Sequence, residues 1–352
     1  MTGSKKRHTV INENIRCKGA DGLRLAGAKI LVIKPERKEK TMKLKVASVQ
    51  MVSENGNVSK NILHAKELIQ EAIFKGAKLI LIPEFALIGY EYSDSIWSVS
   101  EPVKGWTYNL IKEICIENDV YIGTCILERD GNDFYDTFIL TGPSPSDFWS
   151  HRKIEPASYE AFFIKGGGIT KDVFETPIGK IGVAICLDST KSHTLKSLAA
   201  GKPELLLIPF SYPAFPDFYP SSARKAWKEG FEKIPQIYAT ALHVPVVSCN
   251  KTGKFESPVP MMFNMRTCSQ FLDTSQILDC EGTVAEKAKH GEQVLIGEVE
   301  VKAQTGTPNT PDEKRWLLPF SAFVRFTTDT SYRLGKIRYA VSAKRKAFIN
   351  SN

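Results

Sequence analysis

No stretch of this 352-residue chain approaches the ~20 apolar residues of a membrane span. The longest run near the start, Ala28 to Ile33, is too short and wrongly flanked for the apolar region of a secretory signal. Cys-x-x-Cys pairs are missing, as is any Cys/His cluster, so no metal site is expected. The seven cysteines are odd in number and scattered, which does not make a disulfide scaffold and fits a reducing cytoplasm. Gly166-Gly167-Gly168 has no Gly-Lys-Ser/Thr after it, and no dinucleotide fingerprint occurs, so the glycines read as a turn. Repeats of short period and low-complexity tracts are also missing.

The net charge of +8 lacks the distribution of a nucleic-acid binder. Residues 1–41 carry 11 Lys/Arg against 4 Asp/Glu, and residues 330–352 carry six Lys/Arg and no acid. The body between them is mildly acidic. Basic ends of this kind are ordinarily solvated, which argues against nucleic acid as the partner, although contact of the two ends with RNA stays open as a separate reading.

What is present is an α/β pattern that begins abruptly at Met42. Leu44, Val46 and Val49 start a strand, Asn57 can cap a helix, and Val58, Ile62, Ala65, Ile69, Ala72 and Ile73 recur at helical spacing. Gly76 stops that helix, and Lys78–Ile82 is a short apolar run of the fully buried strand type. A helix is predicted over 106–117, and strands over 120–127 and 134–140 with Asp130-Gly131-Asn132 as their turn. A second hairpin passes through Pro177-Ile178-Gly179 into a strand ending at Cys186. Helices over 190–200 and 221–242 alternate with strands over 204–208 and 244–248, followed by strands over 271–278 and 294–301. Pro235 should kink the long helix or mark its start. The order nearly repeats itself, which points to an internally duplicated α/β sandwich. The expected divisions are a basic N-terminal extension at 1–41, a domain over 42–302, and a C-terminal extension at 303–352 that is basic at its end.

Three segments carry chemistry. Cys186 closes the apolar strand Ile181–Ile185, where backbone N–H groups and a following helix would lower the pKa of a thiol, and Asp188 makes the spot polar. Glu84 follows the apolar run 79–83 at the strand end where open α/β sheets hold ligands. Desolvation by Phe85, Leu87 and Tyr90 should raise its pKa towards the range of a general base. Lys153 ends the stretch Phe148-Trp149-Ser150-His151-Arg152-Lys153, with Glu155 and Glu160 as nearby acids. Taken singly these are also what a buried structural cysteine, a rim carboxylate and a surface lysine look like. Taken together, a thiol, a carboxylate and an ammonium are what amide hydrolysis through a thioester requires. A Cys–His pair with His151, His193 or His243 has no flanking signature to support it. Tyr90, Tyr92, Trp97, Phe210, Tyr212 and Phe215 follow strand ends and could wall an apolar pocket or simply pack loops.

The set resembles the nitrilase superfamily of carbon–nitrogen hydrolases, over about Met42 to Val301. Lys45–Gln50 resembles the first strand of that family, Pro83–Tyr90 its glutamate motif, and Arg152-Lys153-Ile154 its lysine motif. Tyr159-Glu160 with Phe162, Phe163 and Gly167 resembles the second-glutamate segment, Gly182–Asp188 the nucleophile motif, and Ser275–Asp279 with Gly282 a late strand and turn. The resemblance implies a four-layer-type α-β-β-α sandwich that dimerises to αββα–αββα. It implies Cys186 as nucleophile, Glu84 as general base, Lys153 and the Leu187 backbone N–H as oxyanion holders, and Glu160 as positioner of Lys153 or of the leaving group. Asp188 and the Arg152-Lys153 and Tyr159-Glu160 segments resemble the amidase and N-carbamoyl-amine branches, which implies a small amide or N-carbamoyl substrate and no cofactor. A small nitrile is the near alternative, and a catalytically silent binding protein the alternative of another class. The chain departs from the family at Lys191-Ser192-His193, where a Pro-Glu pair is usual, and at Gly230–Pro235, where an Arg-Ala-x-Glu-Asn run is usual.

Overall fold

The computed structural model describes residues 41–351 apart from positions 92, 169, 216–219, 260, 261, 305 and 311–315. The extension expected at 1–41 therefore lies, except for Thr41, outside the described residues, and so does Tyr92. The chain opens with two successive βαβ units. These run through β1 (Met42–Gln50), α1 (Val58–Phe74), β2 (Leu79–Leu81), α2 (Trp106–Asn118) and β3 (Tyr121–Asp130). Antiparallel β4 (Asp133–Thr141) and β5 (Phe148–Arg152) follow.

The second half starts with the hairpin β6 (Val173–Thr176) and β7 (Gly179–Val183), then repeats the βαβαβ path. Its further members are α3 (Ser192–Gly201), β8 (Leu205–Pro209), α4 (Ser221–Leu242) and β9 (Val246–Cys249). A separate two-stranded ribbon, β10 (Lys254–Val259) and β11 (Met262–Gln270), precedes β12 (Gln276–Leu278), β13 (Val284–Lys287) and β14 (Gln293–Val301). Two helices complete the chain, α5 (Ala322–Val341) and α6 (Ala343–Ser351).

The strand orders expose the duplication. One sheet runs β14-β1-β2-β3-β4-β5 and the other β6-β7-β8-β9-β12-β13, each with three parallel strands at its centre and antiparallel strands at its flanks. The sheets pack face to face through β1 and β2 on β9 and through β12 and β13 on β14. Helices α1 and α2 cover the outer face of the first sheet, and α3 and α4 that of the second. This is the expected α-β-β-α sandwich. The alternation of side chains explains why Leu79-Ile80-Leu81-Ile82 is apolar throughout. Leu79 and Leu81 point into the core between the sheets, whereas Ile80 and Ile82 pack with Ala65, Ile69 and Ile111 under the helices.

Two local expectations are corrected and two points are added. The strand before Cys186 stops at Val183, and a 3-10 turn over Cys186–Thr190 delays α3 until Ser192. The basic stretch around Trp149 forms an edge strand, β5, paired with β4; Phe148 packs on Tyr108 of α2, Arg152 lies over Tyr135 and pairs with Glu128, and His151 is buried on the other face. Pro235 sits inside α4 and does not begin it. The strand expected over 271–278 shrinks to Gln276–Leu278, since Asp273 adopts a left-handed φ of 54°.

Candidate active site

Three strand ends of the sandwich meet at one buried point. Glu84 lies beyond β2, Lys153 directly after β5, and Cys186 at the turn after β7; their exposures are 0%, 1% and 2%. Two of the three turns are strained. Phe85 has φ 51° and Cys186 has φ 42°, left-handed values that side chains other than glycine adopt only where surroundings hold them. The holding groups are visible. Lys251 Nζ donates to the Phe85 carbonyl at 2.8 Å, and Ser189 Oγ and the Tyr212 hydroxyl both donate to the Cys186 carbonyl, the former at 2.6 Å.

Lys153 Nζ is the centre of the cluster. It donates to Glu84 Oε1 at 2.6 Å and to both oxygens of Glu160 at 3.0 and 2.7 Å. Glu160 also accepts from the Ala157 backbone N–H at 2.7 Å and from the Tyr90 hydroxyl, so the second glutamate is clamped from two sides. Asp188 Oδ2 and Oδ1 accept from the N–H groups of Ile154 at 2.7 Å and Glu155 at 3.1 Å. The carboxylate after the cysteine therefore ties the cysteine turn to the lysine loop. Burial pushes Asp188 up to about 7 against those two hydrogen bonds. Among the described residues the Leu187 backbone N–H donates to no acceptor, which leaves it open at the start of the turn.

A fourth acid, Asp136 of β4, completes the cluster and has no counterpart among the expected site residues. It is fully buried, with Oδ2 3.2 Å from Lys153 Nζ. Neither of its oxygens nor Glu84 Oε2 receives a hydrogen bond from a described donor. Two adjacent carboxyls, each with unpaired acceptors, are satisfied together if one proton stays between them. Burial, together with the Glu84 charge, raises Asp136 well above the usual carboxylate range against the pull of Lys153, which places that proton on Asp136. Its one sequence signal is an acid in the middle of the apolar strand Phe134–Leu140. Glu84, Asp136 and Glu160 lie within 4.8 Å of one another, a spacing that a cation can bridge, and the Lys153 ammonium is the cation seated among them.

Two expected pKa directions reverse. Burial does push the Glu84 carboxyl up, but the Lys153 ammonium, which donates to it at 2.6 Å, outweighs that with the help of the neighbouring Asp136 and Cys186 and holds Glu84 below its usual range. Burial and the negative charge of Glu84 raise the Cys186 thiol well above its ordinary value, against the opposing pull of Lys153 and the Ser211 N–H. Both directions favour an ionised carboxylate beside a neutral thiol over a preformed thiolate. Lys153 stays firmly cationic, because its carboxylates overcome its own desolvation. A second buried ammonium, Lys251, donates to the Phe85 carbonyl and lies over the faces of Tyr90 and Phe271, and burial pushes it down to about 7 against the opposing charge of Glu84.

A cavity of about 120 Å³ opens in front of Cys186 and Leu187, bounded also by Tyr90, Tyr212 and Ser211. Phe210 is not one of its walls; it packs behind Tyr212, ring centroids 4.9 Å apart, with no exposure. Trp97 is likewise core, stacked on Phe134, and Phe215 stacks on Trp227. His151 is turned towards Thr170 and the Lys171 carbonyl, and burial lowers it to about 4.

Comparison with known proteins bears on family and fold. The model of the carbon–nitrogen hydrolase family matches residues 45–308. Over 182 residues the chain is 29% identical to a nitrilase of Pyrococcus abyssi, covering 49% of this chain and 69% of that protein. Over 218 residues it is 27% identical to an N-carbamoylputrescine amidase of Arabidopsis thaliana, covering 59% and 71%. The crystal structure of a carbon–nitrogen hydrolase from Helicobacter pylori superposes with a TM-score of 0.65 at 19% identity, covering 74% of this chain and 90% of that one, which is a likeness of fold.

Proposed function

The chain belongs to the carbon–nitrogen hydrolase family, and on that premise we propose that it hydrolyses a non-peptide carbon–nitrogen bond in a small amide or N-carbamoyl compound through a thioester on Cys186. The observation that carries this reading is the convergence of Glu84, Lys153 and Cys186 at one buried point, with Glu84 at 2.6 Å from the ammonium. An ionised carboxylate beside a neutral thiol can take its proton as the sulfur attacks a carbonyl carbon. The negative charge that develops on the carbonyl oxygen falls to Lys153 and the open Leu187 N–H. Glu84 then passes its proton to the departing ammonia or amine, and the carbon–nitrogen bond breaks. Water enters, loses a proton to Glu84 and attacks the thioester, and Cys186 leaves as the thiol with that proton. Glu160 and Asp136 keep the ammonium in place through both steps. The relatives named nitrilase and N-carbamoylputrescine amidase support the reaction type and leave a range of substrates.

The test is ammonia release from a panel of primary amides, N-carbamoyl compounds and nitriles, with intact-mass detection of an acyl adduct. Release from amides or N-carbamoyl compounds should fall by about 10³ or more in Cys186→Ala and in Glu84→Gln. Release from nitriles alone would move the protein to the nitrile-cleaving reading. Release that survives in Cys186→Ala would overturn the mechanism. Tight binding with neither release nor adduct would leave a silent binding protein.

A further inference from the structure

The family match ends at residue 308, yet the cavity in front of Cys186 is walled beyond that point. Trp316 and Phe320, with Val324, Arg325 and Thr328 at the start of α5, form one side of it, facing Trp227 and Phe231 of α4. The wall is fastened at both ends. Leu317 N–H donates to the Thr190 carbonyl at 2.7 Å, and Lys191 Nζ sits 3.4 Å above the centre of the Trp316 ring while pairing with Glu155 at 3.1 Å. At the other end α5 packs on the turn that carries Glu160, so closely that a Cβ on Gly335 would lie 2.8 Å from the Ala161 backbone. Between these anchors the rings touch in series, Trp316 to Phe320 at 5.2 Å, Phe320 to Trp227 at 5.3 Å, and Trp227 to Phe231 at 4.6 Å.

Charge on this lining is sparse. Among the described residues that bound the cavity, Arg325 bears the one formal charge; it is exposed and pairs with no described carboxylate. The acids nearest to the thiol, Glu84, Asp136 and Glu160, are committed to Lys153. We propose that the segment 316–328 is the specificity wall of this enzyme, and that it selects small amides or N-carbamoyl compounds with an apolar body and a carboxylate at the far end, which Arg325 receives. The proposal rests on the hydrolase reading above. Its physical content is a division of labour. Aromatic rings desolvate an apolar chain, a guanidinium matches a carboxylate with paired N–H groups, and an ammonium-ended substrate would meet a like charge with no described acid to offset it. A cavity of about 120 Å³ suits a compound of a few carbons and not a polymer.

The test is a matched trio of primary amides: hexanamide, its carboxylate-ended analogue adipamate, and its ammonium-ended analogue 6-aminohexanamide, with ammonia release read as kcat/KM. The native enzyme should prefer adipamate to 6-aminohexanamide. In Arg325→Ala the ratio of adipamate to hexanamide should drop roughly tenfold, carried by KM, the scale of one charge-assisted contact. In Arg325→Glu the order of the two charged amides should invert. Phe320→Ala should narrow the preference for hexanamide over acetamide, which reads the apolar wall separately. Turnover of all three amides with no effect of either Arg325 variant on their ratios, or a native preference for the ammonium-ended compound, would overturn the wall proposal and leave the hydrolase standing. No turnover of this trio by a protein that releases ammonia from other members of the wider panel would overturn the wall proposal alone, and no ammonia and no acyl adduct from the whole panel would overturn the hydrolase reading and this inference with it.

Discussion

Replacing Lys153 by methionine keeps most of the side-chain volume and removes the charge around which the cluster is built. At 2.6 Å and an effective dielectric of about 20, one ion pair with Glu84 is worth roughly 6 kcal/mol before desolvation is counted. The loss cannot reach that figure, because a buried carboxylate without a partner takes up a proton instead. Neutralising a carboxyl of ordinary pKa near 4.3 at pH 7 costs about 4 kcal/mol, at about 1.4 kcal/mol per pH unit. The smaller number wins, and Lys153→Met should be destabilised by about 4 kcal/mol at pH 7. At pH 5 the same protonation costs only about 1 kcal/mol, so the deficit should shrink towards that value.

The signs support the contrast. In the native protein the folded pKa of Glu84 lies below its unfolded value, so its contribution is present at neutral pH and is lost as pH falls through that depressed pKa. In the variant the folded pKa lies above the unfolded one, the folded state binds more protons, and stability grows on acidification between pH 7 and the unfolded value. Urea unfolding followed by circular dichroism at pH 7 and pH 5 measures both. A deficit below 1 kcal/mol at pH 7, or an equal deficit at the two pH values, would refute the picture of one ammonium neutralising the buried carboxylates.

Three further outcomes follow from the same geometry. Because burial and Glu84 hold the Cys186 thiol up, its alkylation by iodoacetamide should be slow and still rising with pH at pH 9, and a plateau near pH 6–7 would show a preformed thiolate instead. Asp136→Asn supplies a permanent donor to Glu84 and should keep kcat within about tenfold, whereas Asp136→Leu leaves Glu84 Oε2 unpaired and should lose roughly 1–3 kcal/mol of stability and most of the activity; equal behaviour of the two in thermal melts and ammonia assays would remove the shared proton from the account. Tyr212→Phe takes one hydroxyl from the Cys186 carbonyl and should cost about 1 kcal/mol in unfolding free energy, with kcat reduced more than KM; an unchanged kcat would mean that Ser189 alone holds the turn.

Glu84 and Cys186 are legible in the sequence because each sits where an apolar run ends, a position that one-dimensional pattern can identify, whereas Lys153 ends a basic stretch and stands out through its Arg152-Lys153-Ile154 motif. Asp136 is not legible, since an acid inside a strand looks the same at a solvated edge as it does beside a buried ammonium. The pKa directions of Glu84 and Cys186 escape for a related reason. Local sequence shows the desolvation of each group, but the sign depends on partners distant in the chain, as Lys153 is from Glu84 at a separation of 69 residues. Helices α1–α4 and most strands follow from periodicity, while β5, the ribbon β10–β11, β13, α5 and α6 do not; in β5 the polar Ser150, His151 and Arg152 break the alternation on both faces. The role of residues 316–328 is also invisible to pattern, as a helix that walls a cavity and one that merely wraps a domain share the same amphipathic spacing.

The duplicated sandwich divides its reactive parts unevenly between its halves. Glu84, Asp136 and Lys153 come from strands of the first sheet, and Cys186 from the second, with Ser48 Oγ to the Ser248 carbonyl at 2.7 Å and Cys249 Sγ to the Val49 carbonyl at 3.1 Å stitching the two together. Each half in isolation is chemically idle, the one a nest of acids around a lysine, the other a lone thiol on a turn. The candidate site is therefore complete only where the two sheets dock, and a chain clipped between β5 and β6 would carry every one of its atoms while being unable to assemble them until its pieces clasp again.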